Sequence, residues 1–279
     1  MIKIELKNKD NQIITGRIDH EKPEAPFMAE GDTLAVLAIK QYLYQVGDKI
    51  VVTYIGATPY LMVQLDETLA PSLIYLKEKV WEYQIPLEES ARKAFVDTAF
   101  HSARHQIMVR QAHTFEKDNY QNLSMNTHDQ KEYSGAYSGA YPHAYANVET
   151  RDDAVFFAKN AIDSKFGNLS HGSYPFASWG INQQKEAQLT IDFGRPVETD
   201  WIRLLFRADY PHDSYWEEVT LAFSDGEERV VATTNTACFQ EIKFPMKTTQ
   251  TLTLKCLRKA LDSSPFPALT QIEVFGRNK

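Results

Sequence analysis

The chain has 279 residues, 43% of them hydrophobic and 12% aromatic, which is enough for a sizeable core in two ordinary domains or one large all-β domain. Its formal net charge of −7 argues against nucleic-acid binding, which normally needs a basic face. The start of the chain alternates apolar and polar residues, and the sequence has no run of about 18 apolar residues. These features predict a cytoplasmic protein with no membrane partner.

The first 86 residues show the alternation typical of short β-strands. Apolar and polar positions alternate over 50–54 and 61–66, and a further apolar run covers 73–83. Turn residues separate these runs at intervals of roughly ten residues, as in β-sandwiches. The pattern predicts an N-terminal β-sandwich domain over residues 1–86.

A helix is predicted directly after Pro86. Ala91, Ala94, Phe95 and Ala99 form an apolar stripe at helical spacing, and carboxylates occupy the first turn, where the helix dipole favours them. Histidines at 101 and 105 could share a zinc ion on one helix face. However, no HExxH motif surrounds them and residues 106–110 alternate like a strand, which favours structural or surface histidines.

Residues 112–153 are polar and irregular, and Ser-Gly-Ala-Tyr occurs twice in tandem, at 134–137 and 138–141. Low hydrophobicity is typical of a linker, whereas the repeated tyrosines favour packing against a neighbour. We expect residues 87–141 to contain the helix and a tyrosine-rich connector between two domains.

The strongest period-2 pattern lies in the last half of the chain. Ala187, Leu189, Ile191 and Phe193 alternate strictly with polar residues, and Gly194-Arg-Pro ends the run. Further strands are predicted at 201–206, 217–223, 228–233, 239–244, 251–257 and 271–275. This series predicts an antiparallel sandwich or jelly roll over residues 142–279, so that the fold class is all-β with two sandwich domains.

The two cysteines, Cys238 and Cys256, fall in predicted strands on the same faces as apolar residues. Two buried free thiols are therefore expected. A disulfide between neighbouring strands is the alternative.

Four pieces of the region 142–279 resemble, in the right order, the discoidin or coagulation factor type C family. Residues 156–163 with Ser178-Trp179 resemble the opening "AxDG…W", and Leu189-Thr-Ile-Asp-Phe-Gly194 resembles "LxIDLG". Residues 197–203 resemble "xVxxIRL", and residues 268–276 resemble the closing "LxEIEVYG". The resemblance implies a galactose-binding-like jelly roll whose loops at one end bind a ligand. Many relatives are carbohydrate-binding modules, while others bind lipids, proteins or small molecules.

The resemblance also implies a structural calcium ion near Asp163. The oxygen-bearing candidates are Asn160, Asp163, Asn168 and Gln271, and calcium takes six to eight oxygens. Ser164 replaces the usual glycine, and Gln271 stands where many relatives have an acid. Alternatively, Asp163 only caps its own turn through backbone hydrogen bonds.

Two loops, 170–180 and 207–216, carry the candidate ligand-binding residues. Sugars are recognised by aromatic faces, which pack on the apolar side of the ring, and by polar groups that hydrogen-bond to hydroxyls. The candidate stacking residues are Tyr174, Trp179, Tyr210 and Trp216, although both tryptophans could instead belong to the core. The candidate hydrogen-bonding residues are His171, Arg207, Asp209, His212 and Asp213, with His143 as a weaker candidate.

These residues predict a non-catalytic carbohydrate-binding protein, with an acidic sugar favoured because Arg207 offers a planar fork for a carboxylate or sulfate. Arg207 and Asp209 could instead form an ion pair that fixes the loop. One alternative function is a carbohydrate-active lyase or hydrolase that uses His212 with Asp209 or Asp213 as base and orienting carboxylate. A protein-interaction or assembly module is the other, and a homo-oligomer is possible.

Overall fold

The computed structural model describes residues 1–21, 24–131 and 139–279; the first Ser-Gly-Ala-Tyr copy, at 134–137, and Ser138 of the second lie outside them. The predicted all-β class is confirmed. Within these ranges the α-helices are two short ones, Glu89–Arg92 and Thr114–Asp118. Neither is long or apolar enough to cross a membrane. Three turns of 3₁₀-helix follow at Thr150–Asp152, Ala154–Phe156 and Ala158–Ile162.

The N-terminal half of the chain folds as two antiparallel sheets over one core. The first sheet has the strand order Met28–Gly31, Ile2–Lys7, Lys49–Tyr54 and Val80–Gln84. The second has the order Ala140–Tyr141, Ser72–Leu76, Tyr60–Gln64, His105–Gln111 and Leu34–Ile39, and a small ribbon pairs Thr15–Gly16 with Ala25–Pro26. Alternation along the strands buries Ile4 and Val52 from one sheet and Val63 and Ile107 from the other in the same core, all at 0% exposure.

The helix predicted after Pro86 is a single turn, Glu89–Arg92. Ala94, Phe95 and Ala99 are buried in the first core, as an apolar stripe would be. The chain reaches them through separate turns, in which Phe95 N–H donates to the Arg92 carbonyl oxygen (3.0 Å) and Ala99 N–H to that of Val96 (2.9 Å). The longer helix was therefore a wrong prediction. Irregular turns can bury residues at the same apolar spacing when the neighbouring sheets provide the core.

The predicted connector is divided between the two sandwiches, and Phe157 from the C-terminal region packs back into the first core. The strand His105–Gln111, from the predicted connector, pairs with Leu34–Ile39 and Tyr60–Gln64 of the first sandwich. Leu123 packs in the second core, whereas Phe157 packs in the first. These crossings hold the two sandwiches together.

The C-terminal half forms one antiparallel sheet system around a second core. Its strands follow the order Gln121–Asn122, Ala268–Asn278, Leu189–Phe206, Gln240–Lys259, Trp216–Phe223 and Glu228–Ala232, with His143–Ala146 paired to the third of these and Trp179–Gly180 to the second.

Two of these strands are longer than predicted. Leu189–Phe206 runs through the Gly194-Arg-Pro segment, and Gln240–Lys259 joins two predicted strands. Register shifts between Asp192 and Val197, and again between Thr199 and Trp201, interrupt the pairing between them. Bulges of this kind bend a strand, so that a single strand can follow a curved sheet.

The cysteines are free, but both are exposed, so their predicted burial was wrong. Cys256 has a φ of 49°, and Leu254 and Leu257 on either side of it are both buried. The pairing register with Trp216–Phe223 also shifts at this point. A bulge therefore interrupts the alternation and turns the thiol outward. Cys238 precedes Gln240–Lys259 and does not share that strand's alternation.

Candidate functional site

Loops of the C-terminal sandwich border a cleft of about 240 Å³, called the loop cleft below. They include the predicted loops around His171 and Arg207, the turn at 182–183, the segment 150–156 and the Pro265-Phe-Pro267 segment before the last strand. The lining includes the side chains of Asn182, Gln183, His171, Arg207, His212 and Phe266. Two of the predicted binding loops thus contribute to one cleft.

Three flat rings form a stacked row beside the cleft. His171 stacks on His212 with 4.3 Å between ring centroids and 13° between ring planes. His212 in turn stacks on Phe266, at 5.5 Å and 26°. Phe266 is 42% exposed and both histidines are exposed. Stacking covers both faces of His212, so the ring faces left for a ligand are the outer faces of His171 and Phe266 at the two ends of the row.

Asp209 fixes the orientation of His171. The His171 Nδ1 lies 2.9 Å from the Asp209 Oδ2. The two side chains are 40% and 32% exposed, so that solvent screens the pair. With Nδ1 bonded to the carboxylate, Nε2 is the imidazole nitrogen left for a ligand.

Arg207 is committed to an internal ion pair. Its Nε donates to the Asp213 Oδ2 at 2.7 Å, its Nη2 donates to Asp213 Oδ1, and the same Nη2 donates to the Phe266 carbonyl oxygen at 3.1 Å. Asp213 also accepts from the Asp209 N–H at 3.1 Å, and both partners are buried. Arg207 therefore does not offer a free fork to an anion, and its ion-pair partner is Asp213 rather than Asp209. Asp213 is equally unavailable as an orienting carboxylate for His212.

The structure places both candidate tryptophans in the core. Trp179 and Trp216 are 0% exposed, with ring centroids 6.1 Å apart, and Trp216 also packs edge-on against Phe206 at 5.2 Å. Trp179 Nε1 donates to the Val148 carbonyl oxygen at 3.0 Å. Each tryptophan is the first residue of a strand, and its side chain lies on the face of the strand that packs in the core. Burial of so large a ring stabilises the fold. Their predicted role as stacking platforms was wrong.

The remaining candidates lie away from the loop cleft. Tyr174 is 42% exposed, but it lines a different groove together with Lys93. The Tyr174 backbone N–H donates to the Lys93 carbonyl oxygen at 2.7 Å. The Tyr210 hydroxyl is buried, and burial raises the pKa of this phenol above its usual value. His143 is buried, with Nδ1 2.7 Å from the Asp129 Oδ1. These residues hold the scaffold or face another groove.

The predicted calcium ligands do not converge on one point. Asn168 Nδ2 donates to the carbonyl oxygens of Phe206 (2.9 Å) and Ala237 (3.0 Å). Asn160 Nδ2 donates to the Ala154 carbonyl oxygen at 2.9 Å. Both side-chain amides thus hold backbone segments together through hydrogen bonds.

The other two candidate calcium ligands, Asp163 and Gln271, lie beside the side chain of Lys165. Lys165 Nζ lies 2.5 Å from Asp163 Oδ2, and Gln271 Nε2 donates to Asp163 Oδ1 at 2.9 Å. A second lysine, Lys159, lies nearby, and burial, followed by the Lys165 charge, lowers its pKa to about 8. Asp163 also accepts from the Lys165 N–H at 3.0 Å, the turn cap that the sequence left open. As arranged, these residues do not fit a calcium ion.

Sequence reasoning missed Phe266 and the amides of Asn182 and Gln183. A signal for Phe266 was present, because a phenylalanine between two prolines cannot lie inside a central strand and must belong to a loop. Asn182 and Gln183 have positive φ angles of 48° and 57°, which belong to a turn. Their place beside His171 depends on tertiary packing.

No family model matches this chain, and no curated protein matches it. Solved structures with a similar fold include chitosan-binding module 1 of a chitosanase/glucanase from Paenibacillus sp. IK-5, at 17% identity over 56% of this chain and 98% of that one, with a TM-score of 0.38. A family 32 carbohydrate-binding module of C. perfringens NanJ, in complex with galactose, shows 15% identity over 47% of this chain and 91% of that one (TM-score 0.37). A mutant lectin-binding domain of lectinolysin, complexed with Lewis b, shows 16% identity over 58% and 99% (TM-score 0.40). At these values the likenesses carry no weight for function.

Proposed function

We propose that this protein binds a carbohydrate, without transforming it, in the loop cleft. The observation that carries the proposal is the stacked row of His171, His212 and Phe266 next to the exposed amides of Asn182 and Gln183. An aromatic face packs against the C–H side of a sugar ring, and amides and imidazoles exchange hydrogen bonds with its hydroxyls. Both kinds of group meet at this cleft.

The size of the cleft suits a small ligand. Its volume of about 240 Å³ lies below the roughly 300–1,000 Å³ of pockets that enclose drug-sized molecules. One sugar residue, or the end of an oligosaccharide, is therefore the expected occupant.

The charges around the cleft favour a neutral sugar over the acidic one expected from the sequence. The Arg207 guanidinium is paired with Asp213, so its charge is already neutralised. Asp209 adds a partly exposed carboxylate that repels an anionic ligand. The exposed Arg151 also lines the cleft, and its Nη2 lies 3.9 Å from the Asp153 Oδ2, so that this carboxylate partly offsets its charge.

Titration of neutral monosaccharides and a uronic acid against the full chain tests this proposal. Phe266→Ala removes the exposed end of the stacked row and should weaken sugar binding about tenfold, since an aromatic contact contributes on the order of 0.5–1.5 kcal/mol beyond its buried area. Tyr174→Ala is the matched control, because Tyr174 is also an aromatic loop residue with 42% exposure but lies in another groove. Its sugar affinity should equal that of the wild type. If no sugar binds the wild type, or both variants lose affinity equally, the proposal fails.

A second candidate function, a lyase, is favoured by one observation: the His171–Asp209 pair has the geometry of a base held by an orienting carboxylate. A hydrolase with two carboxylates is less well supported, because the described residues that line the cleft include no Asp or Glu. Incubation with polysaccharides would distinguish these functions. If the wild type formed unsaturated products and His171→Ala did not, the function would be catalysis rather than binding alone.

A further inference from the structure

A second cluster of ligating side chains lies in the N-terminal sandwich, in a different half of the chain from the loop cleft. One carboxylate oxygen of Asp66, one of Glu67 and one ring nitrogen of His105 lie within 4.8 Å of one another. His105 opens the strand His105–Gln111, and the two acids follow the neighbouring strand Tyr60–Gln64. The strand pairing therefore brings the three side chains together.

The imidazole of His105 is buried, and one of its nitrogens has no hydrogen-bond partner among the described residues. Its Nε2 lies 2.9 Å from the Tyr42 carbonyl oxygen, which can only accept, so Nε2 carries the proton. His105 is 5% exposed, and its Nδ1 has no hydrogen-bond partner in the part of the chain that the structure describes. A buried lone pair without a donor is costly, and such atoms are rare in folded proteins. Histidines that bind metals commonly donate their second N–H to a backbone carbonyl, as His105 does.

The carboxylates are held in place by the backbone. Asp66 is 3% exposed, and its Oδ1 accepts from the Thr68 N–H and its Oδ2 from the Phe100 N–H, each at 2.9 Å. Glu67 Oε1 accepts from the Gln106 N–H at 2.6 Å, while the Glu67 side chain is exposed. The cluster is thus rigid on its buried side and open to solvent at Glu67, which provides an entry path for an ion.

Tyr44 adds a polar group at the same place. Its ring stacks on His105 with 4.0 Å between centroids, and its buried hydroxyl has no partner among the residues described. A phenol hydroxyl can donate a hydrogen bond, so Tyr44 could hold a water molecule beside a bound ion.

We infer that Asp66, Glu67 and His105 bind one divalent transition-metal ion, through an oxygen of each acid and Nδ1 of the histidine. Zinc takes imidazole nitrogen and carboxylate oxygen, and three protein ligands leave a coordination position for water. The exposed His101 is not part of this set, so the site differs from the His101–His105 pair considered from the sequence.

Calorimetric titration of zinc into the chelator-treated full chain tests the inference. The wild type should bind one equivalent, and its melting temperature should rise with zinc concentration, because the ion binds only the folded cluster. Glu67→Gln keeps an oxygen for the Gln106 N–H but removes a charged ligand. Its zinc affinity should fall by at least tenfold, as even outer-shell substitutions at metal sites cost roughly 10–100-fold. His105→Gln should abolish the binding.

His101→Gln is the matched control, because it removes a nearby exposed imidazole that is not part of the cluster. Its zinc affinity should equal that of the wild type. If the wild type binds no zinc, or if Glu67→Gln binds zinc like the wild type, the inference is overturned. Loss of zinc binding in folded His101→Gln would also overturn it, since the ion would then be held by other ligands. Glu67→Gln gives a result even if His105→Gln fails to fold.

Discussion

Two carboxylates of the loop 207–216, Asp213 and Asp209, have partners whose surroundings differ sharply. Arg207 and Asp213 are buried, with side chains that are 5% and 0% exposed. His171 and Asp209 meet at the surface, with side chains that are 40% and 32% exposed. The first pair holds the loop in place, while the second includes His171, which lines the loop cleft.

The difference shows that charged loop residues cannot be assigned to ligand binding from their type alone. Arg207 donates to the Phe266 carbonyl oxygen, and Asp213 accepts from the Asp209 N–H. The buried pair therefore positions one end of the stacked row and the carboxylate that orients His171. If the loop cleft binds sugar as proposed, binding near the exposed pair depends on the structure that the buried pair maintains.

The largest expected effect is that of Asp213→Asn. This change leaves the buried Arg207 guanidinium without a counter-charge, and breaking a buried ion pair in this way costs roughly 3–5 kcal/mol. Urea denaturation should show that loss in the free energy of unfolding. Removing both charges together, in Arg207→Met with Asp213→Asn, should restore part of it. A loss below about 1 kcal/mol in the single variant would mean that the pair is not buried as described.

A smaller effect is expected for Trp216→Phe, which tests the core role of this residue. The indole is 0% exposed and packs on Phe206 and Trp179. The smaller ring leaves a cavity, and we expect a loss of about 1–3 kcal/mol in the free energy of unfolding. Sugar affinity of the folded variant should not change. If Trp216→Phe folded but no longer bound sugar, Trp216 would have to be part of the binding site.

The sequence predicted local features of the fold better than those that depend on distant partners. The alternation of Leu189, Ile191 and Phe193 specified a buried strand face, and all three are 0% exposed. Cys256 was misplaced because a bulge shifts the alternation, and a bulge depends on pairing with another strand. Two strands, of which Leu189–Phe206 is one, extend beyond their predicted ends for the same reason, because their bulges depend on pairing with other strands.

The site shows the same limit. His171 and His212 were predicted from loop composition, and both line the cleft. Phe266 was missed because its loop is far from theirs along the chain. The predicted calcium site did not anticipate Lys165, whose Nζ lies 2.5 Å from Asp163. The motif resemblance directed attention to the acid, whereas the motif does not specify the side chain that faces it.

The smallest effect on stability is expected for Asp209→Asn at the exposed pair. Solvent screens the interaction of its carboxylate with His171, and exposed pairs contribute between about 0 and 1 kcal/mol. The free energy of unfolding in urea should therefore change by less than about 1 kcal/mol. An asparagine amide can still meet Nδ1, but it no longer requires a proton there, so His171 is less firmly held in one tautomer.

Sugar binding should respond to Asp209→Asn more than stability does. We expect a loss of sugar affinity of a few-fold, measured by the same titration as for Phe266→Ala, because His171 loses its fixed hydrogen-bonding pattern. The contrast with Asp213→Asn is the decisive comparison: one variant should unfold easily, and the other should stay folded and bind less well. If Asp209→Asn destabilised the protein as strongly as Asp213→Asn, both pairs would be structural. The exposed histidines would then be a consequence of the scaffold rather than a part of the binding surface.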